Sequence, residues 1–272
     1  MTTTTTTAGV PPLTPIEALA PPEGPPRLAG SALQVAERTL RKFFRTPGLW
    51  AMGMVQSAGF LFAFRFVFGG AIHSGLSRYV EFLVPGYVAT IVLFTGGGIA
   101  VDVAADRAGG FTDRLKSLPV PRAALVVGRA LADWTMNAYV IAFTAAVGFL
   151  YGFRLDGGVV HGLAALGLCL VYGVVFSLVF LVMGLVAPSA QAAQGMSMLA
   201  FVFAFFSSTY VPVASMPGWL QAFARFQPIT PMVDAVRSTL AGSGSDVVLA
   251  LAWSAALLVL FTPLAVLRYR RA

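Results

Sequence analysis

The chain has 272 residues, 57% of them hydrophobic and only 11% charged, with a formal net charge of +7. Soluble domains carry roughly 25% charged residues, and a water-bound core of this size cannot hide so much apolar surface, so lipid is the expected solvent. The basic excess fits loops facing an anionic membrane surface better than a nucleic-acid partner, and the single cysteine, Cys169, rules out an intrachain disulfide or a cysteine-built metal cluster.

Residues 1–30 are rich in Thr, Ala and Pro and lack both a basic start and an apolar core, so they read as a disordered tail and not a signal peptide. Residues 31–272 read as one domain without an internal repeat. The spacing over 31–46 predicts an amphipathic helix, with Ser31 and Gln34 placed for a capping box. Leu33, Ala36, Leu40, Phe43 and Phe44 fall on one face; Arg38, Arg41, Lys42 and Arg45 fall on another. A basic face opposite an aromatic one, just before an apolar run, suits a helix lying in the membrane interface. Pro47 and Gly48 end it.

Six apolar runs of spanning length follow, at about 49–70, 82–104, 130–151, 160–187, 193–213 and 247–267. An inside N-terminus puts Arg27, Arg38, Arg41, Lys42, Arg45, Arg107, Arg114, Lys116, Arg122, Arg129, Arg268, Arg270 and Arg271 on one side. The other side receives only Arg78, Arg154, Arg225 and Arg237, so the positive-inside rule predicts cytoplasmic termini. Residues 212–244 are semi-apolar and broken by Pro228 and Pro231, which predicts two short helices dipping into the outer leaflet.

Chemistry is sparse. A phosphate-binding loop needs a lysine directly after a glycine, yet Lys42 follows Arg41 and Lys116 follows Leu115, so ATP binding by that motif is excluded. His73 and His161 have no second ligand at metal spacing, and no metal site is expected. Asp102 and Asp133 border the spans near their inner ends and not at the midplane, where a proton relay would sit. In the loop after the second span, Phe111, Leu115 and Leu118 form an apolar stripe at helical spacing, beside Asp113, Arg114 and Lys116. Such a short helix suits either a groove on a soluble partner or a bed of lipid headgroups.

The run GF-x-DRL-x-SLP-x-x-R over 110–122, followed by GR-x-LAD over 128–133, resembles the ABC type 2 exporter permeases, in particular the daunorubicin-resistance branch. The run TYVP-x-x-x-MP-x-WLQ over 209–221, continuing through Gln227, Pro228, Thr230, Pro231 and Arg237, carries the same likeness. The resemblance implies an all-α integral membrane protein with six transmembrane helices, an interfacial N-terminal helix, a cytoplasmic coupling helix and short re-entrant helices before the last span. It implies no catalytic residue and no cofactor in this chain; Mg-ATP would belong to a separate cytoplasmic ATPase, two per transporter. A second permease subunit, identical or related, would complete the pathway. Phe111, Asp113, Arg114, Leu115, Lys116 and Leu118 would form the coupling helix, anchored by Asp106, Gly110, Pro119, Arg122, Arg129 and Asp133. The cargo would be a drug or a lipid-like amphiphile leaving the cell. Arg65, Phe201, Phe205 and Tyr210 are candidates for its path, although aromatics also face lipid or fill cores. An ion-gradient-driven secondary transporter is the alternative.

Overall fold

The computed structural model describes residues 28–68, 79–109 and 122–271. Every regular element among them is helical. Helix α1 spans Leu28–Arg45, and α2 spans Pro47–Phe62 before widening into a π-helical segment, Ala63–Phe68. Helix α3 covers Tyr79–Ala108, α4 Arg122–Leu150, α5 Gly158–Val186 and α6 Ala190–Phe205. A 3-10 turn at Val213–Ser215 leads to α7, Gly218–Phe226, α8, Ile229–Leu240, and α9, Val247–Arg271.

Local chemistry sets several of these boundaries. Helix α1 begins at Leu28, so Ser31 lies inside it and does not cap it. Pro47 stands at the first helical position of α2, where its missing N–H costs nothing. It therefore separates α1 from α2 and opens the next helix as well. Ser189 caps α6 by accepting from the Ala192 N–H at 3.1 Å.

Among the described residues, four helical stretches are long and apolar enough to cross a membrane: Tyr79–Ala108, Ala130–Leu150, Gly158–Val186 and Val247–Arg268. Ala51–Val67 and Ala190–Phe205 are apolar but shorter. Neighbouring helices run antiparallel: on α3 against α4, Val84 meets Gly148 and Thr95 meets Asn137. One end of the bundle thus holds α1, the start of α2 and the end of α3. The far end holds the start of α3, the turn between α4 and α5, and helices α7 and α8.

Helix α3 is the axis. It packs most extensively on α5, and also against α4, α6 and α8. Tyr87, Leu83 and Val92 of α3 meet Tyr172 and Phe180 of α5 and Met232 and Val236 of α8 in one core. Two side-chain pairs tie α4 into this apolar setting. Ser57 of α2 lies 2.8 Å from Thr144, and Thr95 of α3 donates to Asn137. Hydrogen bonds of this kind fix helix register where lipid offers no competing partner.

Helix α1 lies along α4. Gly128 permits this contact, because a Cβ there would collide with the Ala32 carbonyl and the Val35 side chain. Ala32 and Ala36 are buried in the seam, whereas Leu33 and Phe44 stay exposed. The apolar face expected on this helix is therefore divided between the bundle and its surroundings. Helix α9 is peripheral, touching α5 and α8, with only 11% of its apolar window buried.

Candidate functional site

The far end is organised around Arg237. Helix α6 stops at Phe205 because the next residues offer the backbone other partners. Ser207 Oγ donates to the Ala204 carbonyl at 2.6 Å, and the Thr209 N–H donates to Ser207 Oγ at 3.1 Å. The Gln227 amide donates to the orphan carbonyls of Phe203 and Phe206 at 3.0 and 2.9 Å, closing the helix end. The Ser208 N–H donates to Thr230 at 3.2 Å, and Ser208 Oγ donates to Asp234 at 2.8 Å.

Into this turn α8 inserts the Arg237 guanidinium. It donates to the Phe82 carbonyl through Nε at 3.1 Å and through Nη2 at 2.9 Å, and to the Thr209 carbonyl at 2.9 Å. Nη1 reaches Ser208 Oγ and Asp234, each at 3.3 Å, and the group lies 3.6 Å from the centre of the Phe82 ring. Helix α3 is built to receive it. Pro85 has no N–H and so breaks the helical ladder beside the Phe82 carbonyl. Gly86 leaves the space: a Cβ there would stand 2.5 Å from Arg237 Nη2 and 2.6 Å from the Thr209 carbonyl. Arg237, counted from sequence among the basic residues of the outer side, is thus a largely buried connector between α3, α6 and α8. Sequence reasoning also missed Asp234, Ser207 and Ser208. The available signals were a Pro-Gly pair inside an apolar run and an acid placed i−3 to an arginine on a short helix.

An aromatic seam runs beside this knot. Phe94 of α3 lies 4.1 Å from Phe201, Phe64 stacks on Tyr210 at 4.5 Å, and Phe205 lies 5.0 Å from Tyr210. Phe60 closes the row, 6.1 Å from Phe64, 6.0 Å from Tyr87 and 6.4 Å from Phe94. Phe201, Phe205 and Tyr210 are therefore joined through α2 and α3 residues that sequence did not single out. The hydroxyls of Tyr87 and Tyr210 are buried within the seam, while Phe205 is exposed at its edge. Arg65, on the π-helical segment next to Phe64, is not in the row; its guanidinium lies 5.5 Å from the Phe66 ring.

Below Phe94, toward the end that holds α1, the seam meets a cavity of about 330 Å³. Its lining is mostly apolar, with Gln56, Thr95, Asn137, Asp102 and Asp133 as the polar members, and Phe43 of α1 also lines it. Arg107 donates to the Leu185 carbonyl at the C-terminal end of α5, where a cation is favoured. On α1, Arg41 pairs with Glu37 at 2.5 Å in solvent, Arg38 and Arg45 are exposed, and Phe44 meets Tyr139 edge-on at 6.0 Å. Asp106 lies in the last turn of α3; Arg122 opens α4 and Arg129 follows two turns on. The expected coupling helix, with Gly110, Phe111, Asp113, Arg114, Leu115, Lys116, Leu118 and Pro119, lies outside the described residues, as does the side chain of Lys42.

Comparison with known proteins bears on this architecture. The chain is 32% identical over 218 residues to the daunorubicin resistance ABC transporter permease protein DrrB1 of Streptomyces coeruleorubidus, covering 78% of this chain and 76% of the relative. It is 26% identical over 265 residues to the probable doxorubicin resistance ABC transporter permease protein DrrC of Mycobacterium tuberculosis, covering 91% of this chain and 95% of that one. The profile of the ABC-2 type transporter family matches residues 32–241, from α1 through the polar knot. A match over most of the chain, by a family of membrane permeases whose named relatives serve drug resistance, establishes that this chain belongs to the ABC-2 type transporter family.

Proposed function

We propose that the chain is the membrane subunit of an ATP-driven exporter that moves a hydrophobic or amphiphilic cargo, drug-like or lipid-like, out of the cell. The carrying observation is the continuity between the aromatic seam and a largely apolar cavity that holds a few polar groups. Together they offer ring faces for a greasy body and polar atoms for its head. In this reading the seam is shared between a mobile wall, α2, and a braced wall, α3 with α6.

The same reading makes Ala51–Val67 and Ala190–Phe205 the first and fifth of six spans. Pro47–Phe68 is a continuous helical path of roughly 30 Å, close to the hydrocarbon thickness. Both termini lie in the cytoplasm, α1 rests in the inner interface, and α7 and α8 sit in the outer leaflet. A separate ATPase carries Mg-ATP, one copy on each of two permease subunits. The segment from Phe111 to Leu118, held between Asp106, Arg122, Arg129 and Asp133, seats in that ATPase and transmits its closure.

The test joins loop and cargo. Arg114→Glu combined with Leu115→Asp is expected to abolish copurification with the cellular cassette ATPase that the wild-type chain retains, and to stop export of an amphiphilic dye from inverted vesicles. If association and export both persist, the coupling assignment fails.

A further inference from the structure

Ser57, Leu61 and Arg65 succeed one another every fourth residue along α2. Ser57 is fully buried and Leu61 is 1% exposed, so this stripe is the face that α2 turns into the bundle. Its last member is an arginine. Arg65 is half-buried on the π-helical segment, and its Nε is buried with no hydrogen-bond partner. Its one described side-chain contact is the neighbouring Phe66 ring. Among the described residues no carboxylate pairs with it; the described ion pairs are Arg41 with Glu37 and Arg237 with Asp234. The next acid in the sequence is Glu81, in the first turn of α3, and no described ion pair joins it to Arg65.

The contrast with Arg237 is instructive. That arginine spends its donors on two carbonyls, a hydroxyl and a carboxylate. Arg65 has its buried Nε without a partner, at a site where an uncompensated charge is costly. Its depth identifies what supplies the compensation. From Pro47 to Arg65 the chain climbs roughly 27 Å, which carries Arg65 from the α1 face to the headgroup layer of the opposite leaflet. π-Helical turns recur at functional sites because they re-aim side chains out of the ordinary helical register.

We infer that Arg65 is an anion anchor that binds a phosphate group carried by an amphiphile at the far membrane face. The guanidinium fork matches two phosphate oxygens at once, and the adjacent Phe62, Phe64 and Phe66 rings flank the apolar part of the molecule. The phosphate belongs either to a bilayer lipid or to an exported cargo. The inference rests on α2 crossing the membrane, which is part of the proposed function, and not on the ATPase. Binding to solubilised protein succeeds or fails independently of transport, so the two failures are told apart.

The full chain, purified in a neutral maltoside detergent, is titrated with dodecyl phosphate, and the thermal unfolding midpoint is followed. Wild type is expected to be stabilised; Arg65→Gln should need at least about tenfold more ligand for the same shift, and dodecyltrimethylammonium should stabilise neither. A shift requiring the same concentration in both proteins, at equal helix content and elution, overturns the proposal. If Arg65→Gln does not elute as a folded species, Arg65→Lys carries the comparison. Exchanging the fork for a point charge should raise the required concentration about threefold, and an unchanged value overturns the proposal. Native mass spectrometry of protein extracted from cells then assigns the source. A phospholipid retained by wild type and lost from Arg65→Gln identifies a bilayer headgroup. Phosphate binding without a retained phospholipid identifies a phosphate on the cargo.

Discussion

A largely buried arginine is tolerable only when its donors are used, and Arg237 uses them on backbone carbonyls of two other segments. The Phe82 carbonyl stands beside a proline break and the Thr209 carbonyl in a turn that has left helical geometry. Arg237→Gln removes charged bonds to both, so a loss of roughly 3 kcal/mol is expected, read as a lower thermal midpoint of the detergent-solubilised chain. Asp234→Asn should cost clearly less, because Asp234 is 39% exposed and water can replace its partner. Gly86→Val should resemble Arg237→Gln, at about 2 kcal/mol or more, since the new methyls occupy the guanidinium's place. In the seam, Phe94→Ala removes the ring that meets both Phe60 and Phe201. It is expected to slow dye export severalfold while ATPase copurification persists, an outcome that separates a path residue from a coupling one.

At the scale of elements, hydropathy made the long apolar helices legible, because a run of twenty apolar residues has few other solutions. It misjudged where the fifth run ends. Phe206, Tyr210, Val211 and Val213 continue the apolar character past Phe205, but the hydroxyls of Ser207 and Thr209 take over the backbone's bonds and turn the chain. The two short helices over 212–244 were legible from Pro228 and Pro231, which open α8. Their attachment was not, since Arg237 finds its partners in residues 82 and 209, far along the chain. On α1, periodicity gave the amphipathic helix but not which apolar residues turn inward; that depends on Gly128 of α4. Gly128→Leu should lift α1 from α4, and limited trypsin cleavage at Arg38 and Arg41 should then proceed about tenfold faster.

For the whole molecule, the described core is centred on α3, and α9 stands apart with most of its apolar surface turned outward. Of the candidate cargo residues, Phe201, Phe205 and Tyr210 converge on one seam, a convergence invisible in a sequence where they look like ordinary membrane aromatics. The solubilised chain alone is expected to show no ATP hydrolysis above background. If the proposed function holds, coexpression with a cassette ATPase that copurifies with the chain should yield a complex whose hydrolysis rate rises with amphiphilic cargo, measured as phosphate release.

The knot around Arg237 also sets the grain of any motion. By riveting the first half of α3 to the end of α6 and to α8, it should make these pieces move as one block. Helix α2 and its π-helical continuation meet the block there through ring faces, Phe60 on Tyr87 and Phe64 on Tyr210. Slippage should therefore cost less across such a greased joint than within the hydrogen-bonded block.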